Sequence, residues 1–213
     1  MTGPRLRPPP PGFVDLAAAI PGLRLDVGYH RASNFTGAPL PGYGAPGAWL
    51  QGHVAEDLAA IQRELAPRGL GLLCFDAYRP RRATHAMIHW AERTGQLRLV
   101  HEGYISPRSR HNVGATTDLS LVELETGRAL DMGTAWDTFT AESHTANATG
   151  RAQENRALLH GLMVAHGWQP YSKEWWHFRY LAADGPPRDV PYGADEPDEG
   201  AWRAPAGWRP LEL

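Results

Sequence analysis

Two short stretches of the chain hold residues that could do metal chemistry. The first runs from Ser109 to Asp118 and includes His111, and the second contains Glu174 and His177. Catalytic zinc sites commonly take three protein ligands from His, Asp or Glu and leave the fourth position to water. The glutamate three residues before the last histidine is a candidate base for that water. These residue types predict a zinc-dependent hydrolase with His111, Asp118 and His177 as ligands.

The spacing of these residues is weak support when it is taken alone. His111 and Asp118 are seven positions apart, and Glu174 and His177 are three apart, so a straight strand would send each pair to opposite faces. The site therefore requires a turn at Gly114 and a bend or bulge beside Glu174. Each residue also has an ordinary alternative, as a structural histidine, a surface glutamate or an aspartate that caps a turn.

Length and composition describe an ordinary globular protein. The 213 residues suit one domain, and 42% are hydrophobic and 21% charged. The net charge of -2 gives no basic surface for nucleic acid, and no apolar run of about 18 residues could span a membrane. Cys74 is the one cysteine and lies in an apolar run, which excludes internal disulfides and cysteine metal sites. The N-terminus shows no secretory signal, which favours a cytoplasmic protein.

The elements that must position the candidate site alternate irregularly between helix and strand. Apolar residues at helical spacing predict helices over 54–65, 83–92 and 151–166. Short apolar or alternating runs predict strands over 23–29, 70–75, 118–124 and 175–181. This order does not fit a doubly wound sheet. It favours a single α+β domain with a central antiparallel sheet flanked by helices.

Composition divides the chain into three predicted parts. Residues 1–12 are rich in proline and are predicted to be a flexible arm, and residues 13–183 to form the domain that carries the site. Residues 184–213 form a Pro- and Gly-rich tail with Trp202 and Trp208 as its large anchors. The simplest interpretation is a tail on the domain surface. The alternative is a tail docked on a partner subunit in a homo-oligomer, because indole rings are enriched at interfaces.

Several motifs taken together resemble the LAS metallopeptidases of family M15. The resemblance narrows to their D-alanyl-D-alanine dipeptidase branch, the enzyme type associated with vancomycin resistance. Besides Ser109-Arg110-His111-x-x-Gly114-x-x-x-Asp118, the motifs are Asn34-Phe35-Thr36-Gly37, Asp76-Ala77-Tyr78-Arg79-Pro80-x-Arg82-Ala83, Met132-Gly133-Thr134-x-x-Asp137 and Tyr171-Ser172-x-Glu174-Trp175-Trp176-His177. They occur in order between about Phe13 and Leu181, and such collinearity is far more specific than either zinc signature.

The resemblance implies a LAS or hedgehog-like fold and one Zn²⁺ per chain, held by His111, Asp118 and His177. It implies Glu174 as general base and proton shuttle, and Arg79 as the group that stabilises the oxyanion.

The same resemblance implies residues that hold Arg79 and the substrate. Asp76 is expected to fix the Arg79 side chain, although a purely structural ion pair between the two is an alternative. The substrate is expected to be a small dipeptide. Tyr29 and Ser109 match positions that bind its carboxylate, and Asp137 matches the position that binds its ammonium group.

Two other functions stay open at this point. One is a D,D-carboxypeptidase or endopeptidase of the same fold that acts on longer peptidoglycan stems, against which Asp137 argues. The other is a non-catalytic zinc-containing binding module, which would need neither Glu174 nor Arg79. Two positions depart from the family pattern, Thr116 in place of the usual alanine and Trp136 in place of a smaller aromatic residue. Antibiotic resistance, cell-wall turnover and the use of D-alanine are equally compatible physiological roles.

Overall fold

Strands and helices are interspersed along residues 4–209, the part of the chain that the computed structural model describes. The strands are β1 (Phe13–Asp15), β2 (Arg24–Leu25), β3 (Trp49–Gln51), β4 (Leu70–Asp76), β5 (Thr116–Glu123), β6 (Trp168–Tyr171) and β7 (Glu174–Tyr180). The α-helices are α1 (Leu16–Ala19), α2 (Gly52–Leu65), α3 (Arg81–Arg93), α4 (Arg98–His101) and α5 (Gly150–Ala165).

A five-stranded sheet in the order β2-β4-β5-β7-β6 forms the centre of the fold. The pairs β4–β5, β5–β7 and β7–β6 are antiparallel, and only the short edge strand β2 runs parallel to its neighbour β4. β1 and β3 pair antiparallel in a separate two-stranded ladder. The predicted α+β class with a central antiparallel sheet is therefore confirmed, with a parallel strand added at one edge.

One face of the sheet packs on helices and makes the main core. α2 presents Val54, Leu58, Ile61 and Leu65 to this core, and all four are fully buried, as their helical spacing predicts. β5 is buried over nearly its whole length because it lies in the middle of the sheet with both faces covered. The other face of the sheet and the loops above it carry the candidate site.

The strand predicted over 23–29 is shorter in the structure. Only Arg24 and Leu25 pair with β4, and the chain then turns into a short 3-10 helix over Gly28–His30. Position 28 has no room for a side chain, because a Cβ there would lie 2.5 Å from Cζ3 of Trp136. The bare backbone of Gly28 lets the indole ring lie against it, which brings Tyr29 into the site.

Parts of the predicted arm and tail pack against the rest of the protein. Leu6 forms a β-bridge with Gly193, and the Tyr192 side chain is fully buried against Trp49, with 4.2 Å between the ring centroids. Trp208 stacks on His89 of α3. Residues 1–3 of the predicted arm and 210–213 of the predicted tail lie outside the described residues. The three-part division, like the homo-oligomer, stays a prediction.

Within residues 4–209, none of the helices is long and apolar enough to cross a membrane.

Candidate metal and substrate site

The register of the central sheet aligns three ionisable residues in a row. Asp76 of β4 pairs with Asp118 of β5, and Asp118 pairs with His177 of β7. The register shifts between Cys74 and Asp76, and this irregularity sets Asp76 opposite Asp118. Directly paired residues in neighbouring strands have Cβ atoms about 4.5–5.5 Å apart, so the three side chains share one patch of the sheet.

His111 reaches the same patch from a turn that precedes β5. A 3-10 helix spans Arg110–Val113, and Gly114 follows it in the left-handed conformation with φ 73°. The left-handed conformation is one that residues with a side chain rarely adopt. A Cβ on Gly114 would also lie 2.1 Å from Cε1 of Phe13, so there is no space for a side chain at this position. The turn that the spacing of His111 and Asp118 required is present at the predicted glycine.

Three side-chain atoms converge to form a nearly equilateral triangle. Nε2 of His111 lies 3.4 Å from Nδ1 of His177 and 3.3 Å from Oδ1 of Asp118. Nδ1 of His177 and Oδ1 of Asp118 are 3.1 Å apart. Zinc bound tetrahedrally at its usual distances from nitrogen and oxygen separates its ligands by about 3.3 Å. The three residues therefore fit a zinc ion and leave a further position for a small ligand.

Neighbouring groups fix the orientation of two of these side chains. His111 Nδ1 donates a hydrogen bond to the carbonyl oxygen of Ala77 at 2.6 Å, which leaves Nε2 as the atom with the free lone pair. The indole Nε1 of Trp136 donates to Oδ2 of Asp118 at 3.3 Å, so Oδ1 is left to face the histidines. Hydrogen bonds of this kind are typical of metal ligands, whose orientation they hold.

Glu174 stands at the edge of the triangle without belonging to it. Its Oε2 lies 3.6 Å from Nδ1 of His177, and the side chain is almost completely buried. Burial raises the pKa of Glu174 well above its usual value, and the nearby charges of Asp118 and Asp137 raise it further. Glu174 pairs with Tyr171 across a tight β6–β7 turn whose register is irregular, and this irregularity is the predicted bulge.

Arg79 is held over the site by a buried network. Its Nε donates to Oδ2 of Asp76 at 2.9 Å, and its Nη2 lies 3.8 Å from Oδ2 of Asp118. Tyr43 donates from its hydroxyl to Oδ1 of Asp76 at 2.5 Å, so both carboxylate oxygens of Asp76 are engaged. The guanidinium carbon also lies 5.2 Å from the centre of the Tyr29 ring. Arg79 thus has a fixed position beside the triangle.

A cavity of about 320 Å³ opens onto these groups. It is lined by all the predicted site residues except Asp76, namely Tyr29, Arg79, Ser109, His111, Asp118, Asp137, Glu174 and His177. The structure brings together in one place residues that are spread over most of the sequence, and Asp76 lies directly behind them.

Asp137 has an unusual environment at one side of the cavity. Its φ of 58° is in the left-handed region, which a residue other than glycine adopts only when its surroundings hold it there. Its Oδ2 atom is buried and has no hydrogen-bond partner among the described residues. Burial, together with the charge of Asp118, raises the pKa of Asp137, while Arg79 opposes this rise. A cationic group in the cavity would satisfy this carboxylate.

The two residues predicted to bind a substrate carboxylate are placed differently. Ser109 is buried in the cavity wall directly before the helix that carries His111. Tyr29 lies beside Trp136, with 4.7 Å between the ring centroids, and near Asp137. Burial and the charge of Asp137 raise the pKa of Tyr29, so its hydroxyl stays protonated and can donate a hydrogen bond. The contact of Tyr29 with the carboxylate of a substrate stays a prediction.

Sequence reasoning missed several residues of this site. Tyr43 lies in a loop rich in Gly and Pro, where no periodicity indicates which side chains turn inward. Arg179 follows His177 by two positions in β7, and strand alternation alone could have assigned it to the same face. The i, i+4 pair His85 and His89, which could be mistaken for a helical zinc motif, instead packs against the indole of Trp208.

The fold and the site define an α+β protein with three residues that could hold a metal ion, a buried carboxylate and a fixed arginine in one cavity. The family model of peptidase M15, described as D-Ala-D-Ala dipeptidase, matches residues 10–189. The chain therefore belongs to the peptidase M15 family.

The chain is also similar to individual proteins in sequence or in structure. A D-alanyl-D-alanine dipeptidase of Enterococcus faecalis is 34% identical over 185 residues, which cover 80% of this chain and 92% of the relative. One of Escherichia coli is 34% identical over 168 residues, which cover 78% and 83%. A zinc-bound mutant of the vancomycin-resistance D,D-pentapeptidase VanY aligns with a TM-score of 0.42 and 16% identity over 64% of this chain and 75% of that one. This last likeness is too weak to support a conclusion about function.

Proposed function

We propose that the protein is a zinc-dependent dipeptidase that hydrolyses D-Ala-D-Ala and closely related dipeptides, with one Zn²⁺ per chain. The observation that carries the proposal is the triangle of His111, Asp118 and His177 beside Glu174 and Arg79 in one cavity. Membership of the M15 family and the activity named for its relatives support the choice of substrate. A zinc ion in the triangle would polarise the scissile carbonyl and lower the pKa of a bound water.

Glu174 is the proton carrier of the proposed reaction. Its carboxylate takes the proton of the attacking water and then returns it to the leaving amine. A buried carboxyl group with a raised pKa suits both steps, because it can hold the proton between them. Positioned acid–base groups typically contribute about 10²–10⁴ in rate.

Arg79 stabilises the negative charge that develops on the carbonyl oxygen. Asp76 and Tyr43 fix the guanidinium before the substrate arrives, so little reorganisation is required during the reaction. Donors placed in this way contribute about 2.7–4 kcal/mol to lowering the barrier. The buried Arg79 would be a costly feature in a module that only binds partners, and this argues against the non-catalytic alternative.

Asp137 receives the ammonium group of the dipeptide. The unpaired, buried Oδ2 of Asp137 supports this role, since a cationic substrate group supplies the missing partner. An acylated or extended substrate lacks this charge and adds bulk at the same position. The Asp137 environment therefore favours a dipeptidase over a carboxypeptidase or endopeptidase that acts on longer stems.

The decisive experiment compares three substrates on the purified zinc-loaded protein. We expect release of D-alanine from D-Ala-D-Ala, and at least about a hundredfold slower release from N-acetyl-D-Ala-D-Ala and from a tripeptide ending in D-Ala-D-Ala. Glu174→Gln supplies the inactive control. Equal rates on the free and the acetylated dipeptide would replace the dipeptidase proposal with the carboxypeptidase alternative.

A matched pair of variants tests Asp137 in the same assay. Asp137→Asn removes the charge at the cavity, and we expect kcat/KM for D-Ala-D-Ala to fall roughly a hundredfold with unchanged zinc content. Asp131→Asn makes the same change at an exposed residue of the same loop and should have no effect. An Asp137→Asn enzyme as active as Asp131→Asn would remove the argument for ammonium recognition.

A further inference from the structure

Arg179 lies on the same face of β7 as the metal-ligand candidate His177. Strand alternation separates these two residues from Phe178 between them, which is fully buried in the core. Arg179 pairs with Thr116 of β5 and Gln169 of β6, and its side chain lines the cavity together with Ser109. The lining of the cavity therefore contains the guanidinium groups of Arg108, Arg110 and Arg179 in addition to Ser109 and Arg79.

The guanidinium of Arg179 has no partner among residues 4–209. Its Nε is buried without a hydrogen bond, and none of its nitrogens forms an ion pair with a carboxylate of the described chain. The acidic residue nearby, Asp184, is already bound by Arg110, whose Nη1 donates to Oδ1 at 2.8 Å. That hydrogen bond is the main cause of the lowered pKa of Asp184, and Arg179 contributes least.

An unpaired buried donor is uncommon in folded proteins, and its cost is removed when a ligand supplies the acceptor. The neighbouring Arg110 illustrates the usual outcome, since a second donor on it, Nη2, bonds to the carbonyl oxygen of Ala183 at 2.8 Å. Arg110 also lines the cavity and its Nε is likewise unpaired, but its Nη1 and Nη2 are both bound within the protein, whereas no nitrogen of Arg179 is bound by the described residues. The acceptor that fits a guanidinium best is a carboxylate, which it binds with two parallel hydrogen bonds.

The charges that line the cavity match a zwitterion. Asp137 and Tyr29 lie beside Trp136 at one side, whereas Arg179 lies beside Arg110 and Asp184 at another. Ser109 can donate one hydrogen bond to a carboxylate but carries no charge to balance it. We infer that Arg179, together with Ser109, binds the free α-carboxylate of the dipeptide and so makes the enzyme selective for substrates with an unblocked C-terminus.

This inference rests on the proposed function, and the assay must separate the two. D-Ala-D-Ala is compared with D-alanyl-D-alaninamide, which has the same ammonium group and scissile bond but no carboxylate. With Arg179→Gln we expect the KM for the free acid to rise roughly ten- to hundredfold, with kcat within about threefold, because the charged hydrogen bond that is lost goes to a substrate group that takes no part in bond cleavage. The KM for the amide should stay unchanged, so the preference for the acid disappears.

Arg110→Gln is the matched control, because it removes a neighbouring guanidinium whose two terminal nitrogens are already bound within the protein, by Asp184 and by the carbonyl oxygen of Ala183. It should leave the preference for the acid intact. Arg179→Lys keeps a point charge and loses the paired donors, so its KM for the acid should lie between those of the wild type and Arg179→Gln. Should Arg179→Gln fail to fold, the lysine variant carries the test, and a KM equal to that of the wild type overturns the inference.

A binding measurement separates the inference from the proposed function. In the inactive Glu174→Gln background, calorimetric titration with D-Ala-D-Ala should give a Kd that Arg179→Gln raises by roughly ten- to hundredfold and Arg110→Gln leaves unchanged. If the wild type neither cleaves nor binds D-Ala-D-Ala, the proposed function fails. If the wild type cleaves D-Ala-D-Ala and Arg179→Gln keeps the same KM and the same preference for acid over amide, the role of Arg179 fails while the dipeptidase proposal stands.

Discussion

Replacement of Arg79 should separate its structural role from its catalytic one. Burial raises the pKa of Asp76, Asp137 and Glu174, and the charge of Arg79 opposes that rise at all three residues. Arg79 is 9% exposed and bonds directly to Asp76. Removal of one partner from a buried ion pair costs about 3–5 kcal/mol, because the other charge stays buried without a counterion. For a domain of this size, Arg79→Ala should lower the Tm by about 6–20 °C.

The zinc-free protein is the state in which this loss is largest. Without zinc, Arg79 opposes the raised pKa at all three of these carboxylates, whereas bound zinc would offset part of their repulsion. Thermal unfolding of Arg79→Ala, with and without chelator, measures both cases. Arg93→Ala, at an exposed position at the end of α3, is the control and should leave the Tm unchanged.

Arg79→Lys tests catalysis with most of the stability retained. A lysine ammonium keeps the positive charge, but it cannot hold Asp76 and meet an oxyanion with separate donors as a guanidinium can. We expect normal zinc content, and a kcat about 10²–10³ lower than that of the wild type with little change in KM. A kcat within tenfold of the wild type would refute oxyanion stabilisation by Arg79. An unchanged Tm for zinc-free Arg79→Ala would refute the stabilising ion pair with Asp76.

Three further perturbations test separate parts of the site and core. His111→Ala should lose most bound zinc in metal analysis, and full occupancy would contradict its assignment as a ligand. Trp136→Phe keeps an aromatic ring but removes the hydrogen bond to Asp118, so zinc affinity measured by chelator competition should fall roughly tenfold. An unchanged affinity would mean that this hydrogen bond does not orient the carboxylate. Burial raises the pKa of the Cys74 thiol far above neutrality, so a thiol reagent at neutral pH should label it only after denaturation, and rapid labelling of the native protein would show that the strand opens.

The sequence by itself determined the elements whose signals are local. The apolar face of α2, the short buried strand β4 and the glycine that permits the turn after His111 all follow from residues close together in the chain. Collinear motifs identified the M15 family and nine candidate site residues, and eight of these line one cavity. The turn at Gly114 could be predicted from the sequence because its left-handed backbone conformation depends only on the lack of a side chain at that residue.

Tertiary structure alone decided how those residues meet. The row of Asp76, Asp118 and His177 depends on the register of three strands that are far apart in sequence, and a shift of one residue would turn each side chain to the other face. No local pattern states that register, which is fixed by packing on both faces of the sheet. The same holds for Tyr43, which reaches Asp76 from an irregular loop, and for Arg179, whose neighbours come from other strands. Residue types therefore gave the chemistry of the site, whereas long-range pairing gave the distances on which that chemistry depends.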